Sequence, residues 1–175
     1  MRAFVAVELN EEVRGKIAAL QVDLPSGIKH VEPANLHLTL AFLGEIDEVK
    51  AEEVKAALDT ISAIPFEAKC LGVGVFPSMN FVRVVWVGIR EGAHALNLLH
   101  THTSDALAPL GFKKDEFSPH ITIGRPKARV DVRAFVRKHE DDEFGLFLVD
   151  KLVLKKSTLT PEGPIYENVH VRRLG

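Results

Sequence analysis

Two copies of one short pattern stand out in this chain, His37-Leu38-Thr39-Leu40 and His120-Ile121-Thr122-Ile123. Each lies on a stretch that reads as a β-strand. Side chains on a strand alternate between faces, so His37 and Thr39 share one face while Leu38 and Leu40 turn to the other. His120 and Thr122 repeat this over Ile121 and Ile123. Two imidazoles and two hydroxyls on matched surfaces suit metal-free acid and base work on a phosphate: one histidine removes a proton, the other supplies one, and the hydroxyls hydrogen-bond the oxygens. A single copy would read as an ordinary strand with one wet face. Recurrence of both polar residues at matching places argues for function instead.

Arg125 follows the second pattern, immediately after Gly124. Strict alternation would turn it to the opposite face, but a bend at the glycine would redirect it. A guanidinium binds phosphate oxygens bidentately, so Arg125 is a candidate phosphate ligand.

Charge distribution points the same way. Net charge is −2, which argues against strong non-specific nucleic-acid binding. Residues 1–110 carry 9 Lys and Arg against 14 Asp and Glu, a net −5, whereas residues 111–175 carry 13 against 10, a net +3. Positive charge therefore gathers in sequence around the second pattern, at Lys113, Lys114, Arg125, Lys127 and Arg129 and again at Lys155 and Lys156. This suits a phosphate-bearing ligand at one local site. Singly, Lys113, Lys114 and Arg129 read as solvated surface charges.

Other chemistries find little support. There is no Walker-type phosphate loop, no Cys/His zinc spacing and no His-Glu-x-x-His, so neither a metal nor another cofactor is expected. His100 and His102 are two apart on a predicted helix and point nearly opposite ways, reading with His94 as surface or partly buried helix residues. His30, His139 and His170 lack a partner pattern. Ser118 lacks the glycine-flanked elbow of a serine nucleophile. Cys70 is alone, suits a reducing cytosol and reads as a small buried apolar group.

The elements that must position the two patterns recur in order. Arg2 to Glu8 alternates as a strand; Asn10 caps a helix whose apolar Val13, Ile17 and Leu20 fall at helical spacing. After breaks at Pro25-Ser26-Gly27 and Pro33 comes the first pattern, closed near Gly44. In the later half Val82 to Ile89 is a strand, Ala93 to Leu107 a helix, Pro109 and Gly111 break it, and the second pattern follows. From Phe4 to His37 is 33 residues, and from Val85 to His120 is 35. Two pseudo-repeats, about 1–80 and 81–175, are therefore expected within one domain spanning 1–175.

Between them, Asp47 to Ile61 reads as an amphipathic helix with Val49, Val54, Leu58 and Ile61 on its apolar side. Phe66 to Phe76 reads as a strand bent or bulged at Gly72 and Gly74, with Pro77 to Asn80 turning the chain. Val130 to Lys138 reads as a short helix. Phe144 to Leu159 reads as one long or two short strands, and Ile165 to Leu174 as the last. The length of 175 residues and 46% hydrophobic content suit one compact domain or two packed lobes. The chain opens directly into a strand, so neither a signal peptide nor a membrane span is expected.

The paired patterns, the opening RAFVAVELN, EPANLHLTLAFLGE, LGFKKDEFSPHITIGRP and the closing GPIYE resemble the two-histidine phosphoesterase superfamily, specifically the RNA 2′,3′-cyclic phosphodiesterases also called 2′-5′ RNA ligases. The resemblance covers nearly the whole chain. It implies an α+β, bilobal, pseudo-duplicated fold with two antiparallel sheets facing a central cleft and helices outside. It further implies hydrolysis of a terminal 2′,3′-cyclic phosphate on RNA to a 2′-phosphate, with His120 as proton acceptor activating water and His37 as proton donor to the leaving ribose oxygen. Thr39, Thr122 and Arg125 would hold the phosphate. Ligation through a 2′-5′ bond would follow with a 5′-hydroxyl in place of water. Expected partners are RNA ends bearing the cyclic phosphate, tRNA fragments among them, met by a cytoplasmic monomer. A phosphodiesterase for a small cyclic nucleotide would share the site without needing an RNA-length groove. A non-enzymatic RNA-binding module would not need two histidines.

Overall fold

The computed structural model describes residues 1–175. Nine strands and four helices alternate along the chain: β1 (Arg2–Glu8), α1 (Glu11–Gln21), β2 (Ile28–His30), β3 (His37–Glu45), α2 (Glu48–Asp59), β4 (Phe66–Ser78), β5 (Phe81–Ile89), α3 (Ala93–Leu107), β6 (His120–Pro126), α4 (Arg133–His139), β7 (Glu143–Val149), β8 (Lys151–Thr160) and β9 (Gly163–Arg173). Local chemistry accounts for the helix starts. Asn10 accepts a hydrogen bond from Val13 N at 2.9 Å, and Asp47 accepts one from Lys50 N at 2.7 Å, so each satisfies a backbone donor that the first helical turn leaves free.

The strands lie in the order β7-β4-β5-β6-β3-β1-β8-β9, with β2 added to β6, and every pairing is antiparallel. The sheets of the two lobes are joined at the single pair Leu38↔Ile121 between β3 and β6. So narrow a join lets the sheet curl. Its helix-facing side carries Val5, Val7, Leu38, Leu40, Ile121 and Ile123, which merge with Val13, Ile17, Val54, Leu58, Leu96 and Leu99 of the helices into one core. Full burial of each such side chain stabilises the fold by about 1.5–3 kcal/mol. The opposite, concave side is left free to form a cleft.

Lobes and chain halves do not coincide. The late strands β8 and β9 complete the lobe of β1 and β3, while β4 sits with β5, β6 and β7. Helices cross over as well: α1 packs on β7, and α3 packs on α2 and β3. Each lobe therefore needs both halves of the chain to close its core.

Several expectations are corrected. Val49 is 71% exposed, and α2 instead buries Ala51, Val54 and Leu58. The chain after Pro25-Ser26-Gly27 forms the short β2, whose pairing with β6 was not legible in three residues. The helix expected from Val130 begins only at Arg133, whereas the segment from Phe144 to Leu159 takes the second of its two expected forms, a pair of strands. His100 is buried, with Nδ1 against Leu40 O at 2.9 Å. No helix is long and apolar enough to cross a membrane.

Candidate active site

Running β3 and β6 antiparallel about Leu38↔Ile121 sends those two apolar side chains into the core and turns the residues on either side of them to the concave face. His37 is thereby directed toward Thr122, and Thr39 toward His120. All four line one cleft of about 780 Å³ together with Arg125.

Both imidazoles are held in the same way. His37 Nδ1 lies 2.6 Å from Asn35 O, and His120 Nδ1 lies 2.7 Å from Ser118 O, each the carbonyl two residues earlier. A carbonyl only accepts, so Nδ1 carries the proton in both rings and Nε2 is the atom available for proton transfer. Beyond that the two differ. His37 Nε2 is 2.9 Å from Thr39 Oγ1, whereas His120 Nε2 makes no hydrogen bond within the protein.

Aromatic rings brace each histidine. Phe4 and Tyr166 have ring centroids 4.9 and 5.4 Å from that of His37. Phe76 meets His120 edge-on at 4.9 Å, and Trp86 backs Phe76 at 5.2 Å. Trp86 lies directly over Gly74, where a Cβ would collide with the indole. None of these four residues carries a motif of its own in the sequence; they come from other strands and are aligned only by register. The one available signal was apolar residues at positions whose alternation points to the wet face, as at Phe4.

Arg125 reaches the cleft through a bulge. Opposite β5, Trp86 pairs with Thr122 and Val85 with Gly124, which leaves Ile123 as an extra residue. Ile123 and Gly124 are then both buried, and Arg125 returns to the face of His120 and Thr122. Gly124 has a second use. A Cβ there would come within 2.6 Å of Ile28, so the glycine lets β2 close onto β6.

Electrostatically the free site favours neutral imidazoles. Burial pushes His37 down to about 4; the bond to Asn35 opposes this, while the charges of Lys155, His120 and Arg125 add to it. Burial also lowers His120, against its bond to Ser118 and with the Arg125 charge. No cluster of three His, Cys, Asp or Glu side chains with the geometry to hold a metal ion occurs. The other histidines play no part here except His30, which lines the cleft's edge. His139 and His170 instead pair with carboxylates elsewhere.

A curled antiparallel sheet presenting two Nε2 atoms, two threonines and an arginine to one cleft defines a two-histidine phosphoesterase. A sequence model described as LigT like Phosphoesterase matches residues 7–86 and again 87–166, and the chain belongs to this family. Among its relatives, the RNA 2′,3′-cyclic phosphodiesterase of Archaeoglobus fulgidus is 40% identical over 175 residues, covering 98% of this chain and 99% of the relative. That of Methanocaldococcus jannaschii is 41% identical, covering 95% and 97%. Among solved structures, TT0787 of Thermus thermophilus superposes with a TM-score of 0.84 at 31% identity, covering 99% of this chain and 97% of that one. E. coli LigT complexed with 3′-AMP gives 0.83 at 26% identity, with coverage of 99% and 97%.

Proposed function

We propose that this protein hydrolyses 2′,3′-cyclic phosphate at RNA ends, leaving a 2′-phosphate. The observation that carries the reading is the pair of imidazoles in one cleft, each fixed through Nδ1 so that Nε2 is presented. The names of relatives at about 40% identity over nearly the full chain supply the substrate class.

His120 Nε2, free of protein partners, accepts a proton from water as the water oxygen bonds to phosphorus. The P–O3′ bond breaks, and His37 Nε2–H gives its proton to the departing O3′. Thr39, Thr122 and Arg125 hydrogen-bond the non-bridging oxygens as negative charge builds on them. The cycle leaves His120 protonated and His37 neutral, and exchange with solvent restores both. No metal or other cofactor takes part.

With a 5′-hydroxyl in place of water as the entering group, the same displacement joins RNA ends: His120 takes the 5′-hydroxyl proton, the P–O3′ bond breaks, His37 protonates O3′, and a 2′-5′ bond is left. RNA fragments, including those of tRNA, are the proposed substrates, met by a cytoplasmic monomer. The two successions of strand, helix and motif strand are proposed to be pseudo-repeats.

The test is incubation of the purified protein, with and without EDTA, with an oligoribonucleotide ending in 2′,3′-cyclic phosphate and with the matching cyclic mononucleotide. A 2′-phosphate from the oligonucleotide, formed equally under chelation, is expected. A 3′-phosphate would refute the orientation, metal-dependent turnover the mechanism, and faster turnover of the mononucleotide the RNA specificity.

A further inference from the structure

The concave face of the first lobe carries a charged group that the scheme above does not use. Lys155 sits mid-strand in β8 and is only 9% exposed. Its Nζ is 2.8 Å from Asn168 Oδ1 and 3.4 Å from Glu8 Oε2, while Lys151 Nζ approaches the other Glu8 oxygen at 3.7 Å. Register locates this group. Lys155 pairs with Phe4 on β1, the ring of Phe4 packs on His37, and Glu8 pairs with His37 itself. An ion pair whose ammonium is buried and whose carboxylate is only partly exposed is a poor way to stabilise a sheet, since an apolar pair of similar volume commonly does as well or better.

We propose that Lys155, clamped by Glu8 and Asn168 on the strand position paired with Phe4, is a positioning residue whose charge adds to the acidity of His37. The other charged or titratable groups lining the cleft of His37 are Arg2 from β1, Lys29 and His30 from β2, Glu32 from the turn before β3, His120 and Arg125 from β6, Glu162 from the β8–β9 turn and Tyr166 from β9. These line the open cleft, where solvent and substrate screen them. Lys155 is shielded and fixed, so its field persists when the cleft fills. A nearby cation weakens the hold of the imidazole on its proton, which makes His37 a stronger acid toward a ribose oxygen, a poor leaving group. Glu8 moderates the effect, since its carboxylate partly cancels the ammonium. In keeping with this geometry, Lys155 is the foremost charge acting on His37, after burial and the opposing Asn35 bond.

The consequence for rate rests on His37 being the proton donor; the effect on the ring does not. Histidine-selective NMR titration of His37 is therefore to be run beside pH–rate profiles for wild type, Lys155→Met, Glu8→Gln and the double variant. Removing the ammonium raises the His37 midpoint by about half to one pH unit, and removing the carboxylate lowers it. The double variant, which leaves no buried charge unpaired, lies between the single variants. A merely structural role would lower activity without moving the midpoints in opposite directions. Midpoints that stay fixed, or move together, overturn the inference. Opposite shifts in the titration without a shift in the rate profile uphold it and remove His37 as donor.

Discussion

His37 Nε2 and Thr39 Oγ1 lie 2.9 Å apart on the two cleft-facing positions of one strand, and the proton they share has two arrangements. With His37 neutral, the Thr39 hydroxyl donates to Nε2. With His37 protonated, Nε2–H donates to Oγ1, and the hydroxyl proton is released toward the cleft, where it meets a phosphate oxygen. Protonation of His37 thus turns the Thr39 hydroxyl proton toward the cleft, where the proposed scheme has it bind phosphate. Thr39→Val, which keeps the shape and removes the hydroxyl, is expected to lower kcat/KM by roughly ten- to somewhat over a hundredfold, as for a charge-assisted hydrogen bond. Thr39→Ser should recover most of the loss. A valine variant within about threefold of wild type would exclude this coupling.

In the proposed scheme the two histidines serve one proton-transfer cycle. His37→Ala and His120→Ala should each cost roughly 10²- to 10⁴-fold in turnover, the usual worth of a general acid or base. Because both act in the same transition state, the double variant should be far less impaired than the product of the two losses. Each side chain faces the cleft and not the core, so circular dichroism should show all three variants folded. A folded single variant with near-normal turnover would exclude that residue from proton transfer.

Much of this arrangement was legible in the chain because it is local. The alternation around His37 and His120, the cap at Asn10 and the helical spacing of Val13, Ile17 and Leu20 all depend on neighbours within a few residues. Ala93–Leu107 emerged with the bounds its periodicity and its following Pro109 give. What failed depends on pairing between distant strands. Periodicity alone assigned Val49 to the apolar side of α2, where the packed helix exposes it. Three residues cannot announce β2. The aromatic supports of His37 and His120 are set by register, as is the bulge at Ile123 that carries Arg125 into the cleft. Crossed packing of α1 and α3 onto the strands of the other chain half is a property of topology, on which no single segment bears.

Burial before all else holds both cleft imidazoles toward the neutral form, His37 down to about 4 and His120 also below its ordinary value. A cyclic phosphate anion between them favours the imidazolium form and draws both upward. The rate should therefore be bell-shaped, with both limbs of kcat lying at higher pH than those of kcat/KM, since the first reports the complex and the second the free protein. The two midpoints belong to the coupled pair. Coincident profiles, or a flat one, would contradict this. Stability follows the same sign. The depressed His37 binds fewer protons folded than unfolded, so its contribution is full above about 6.5 and is lost as pH falls toward about 4.

His139, at the end of α4, behaves in the opposite sense. Its Nδ1 lies 2.7 Å from Asp142 and its Nε2 2.6 Å from Asp23, which ties α4 to the segments after α1 and before β7. Burial pulls the ring down, but the bonds to Asp142 and Asp23 together outweigh it and raise the imidazole above its ordinary value. The contribution is thus full below about 6.5 and is lost as pH rises through the raised value. His139→Gln should lower Tm more at pH 6 than at pH 9. Equal losses at both would show that the ring acts by packing alone.

Arg125 does two separable things from one place. Its guanidinium faces the cleft, where the proposed scheme has it bind phosphate, and its charge holds both His37 and His120 toward the neutral form. Removing charged hydrogen bonds to the phosphate should cost roughly ten- to somewhat over a hundredfold in kcat/KM. Removing the charge should also let both imidazoles rise, so the kcat/KM bell of Arg125→Ala should move to higher pH. Arg125→Lys separates the two effects: an ammonium keeps the positive charge but lacks the fork that spans two phosphate oxygens. The lysine variant should keep the wild-type pH profile while recovering only part of the rate. Should the alanine profile stay in place, Arg125 touches the phosphate alone, and its field on the histidines has no consequence for turnover. Should lysine restore the full rate, bidentate binding is excluded and charge suffices.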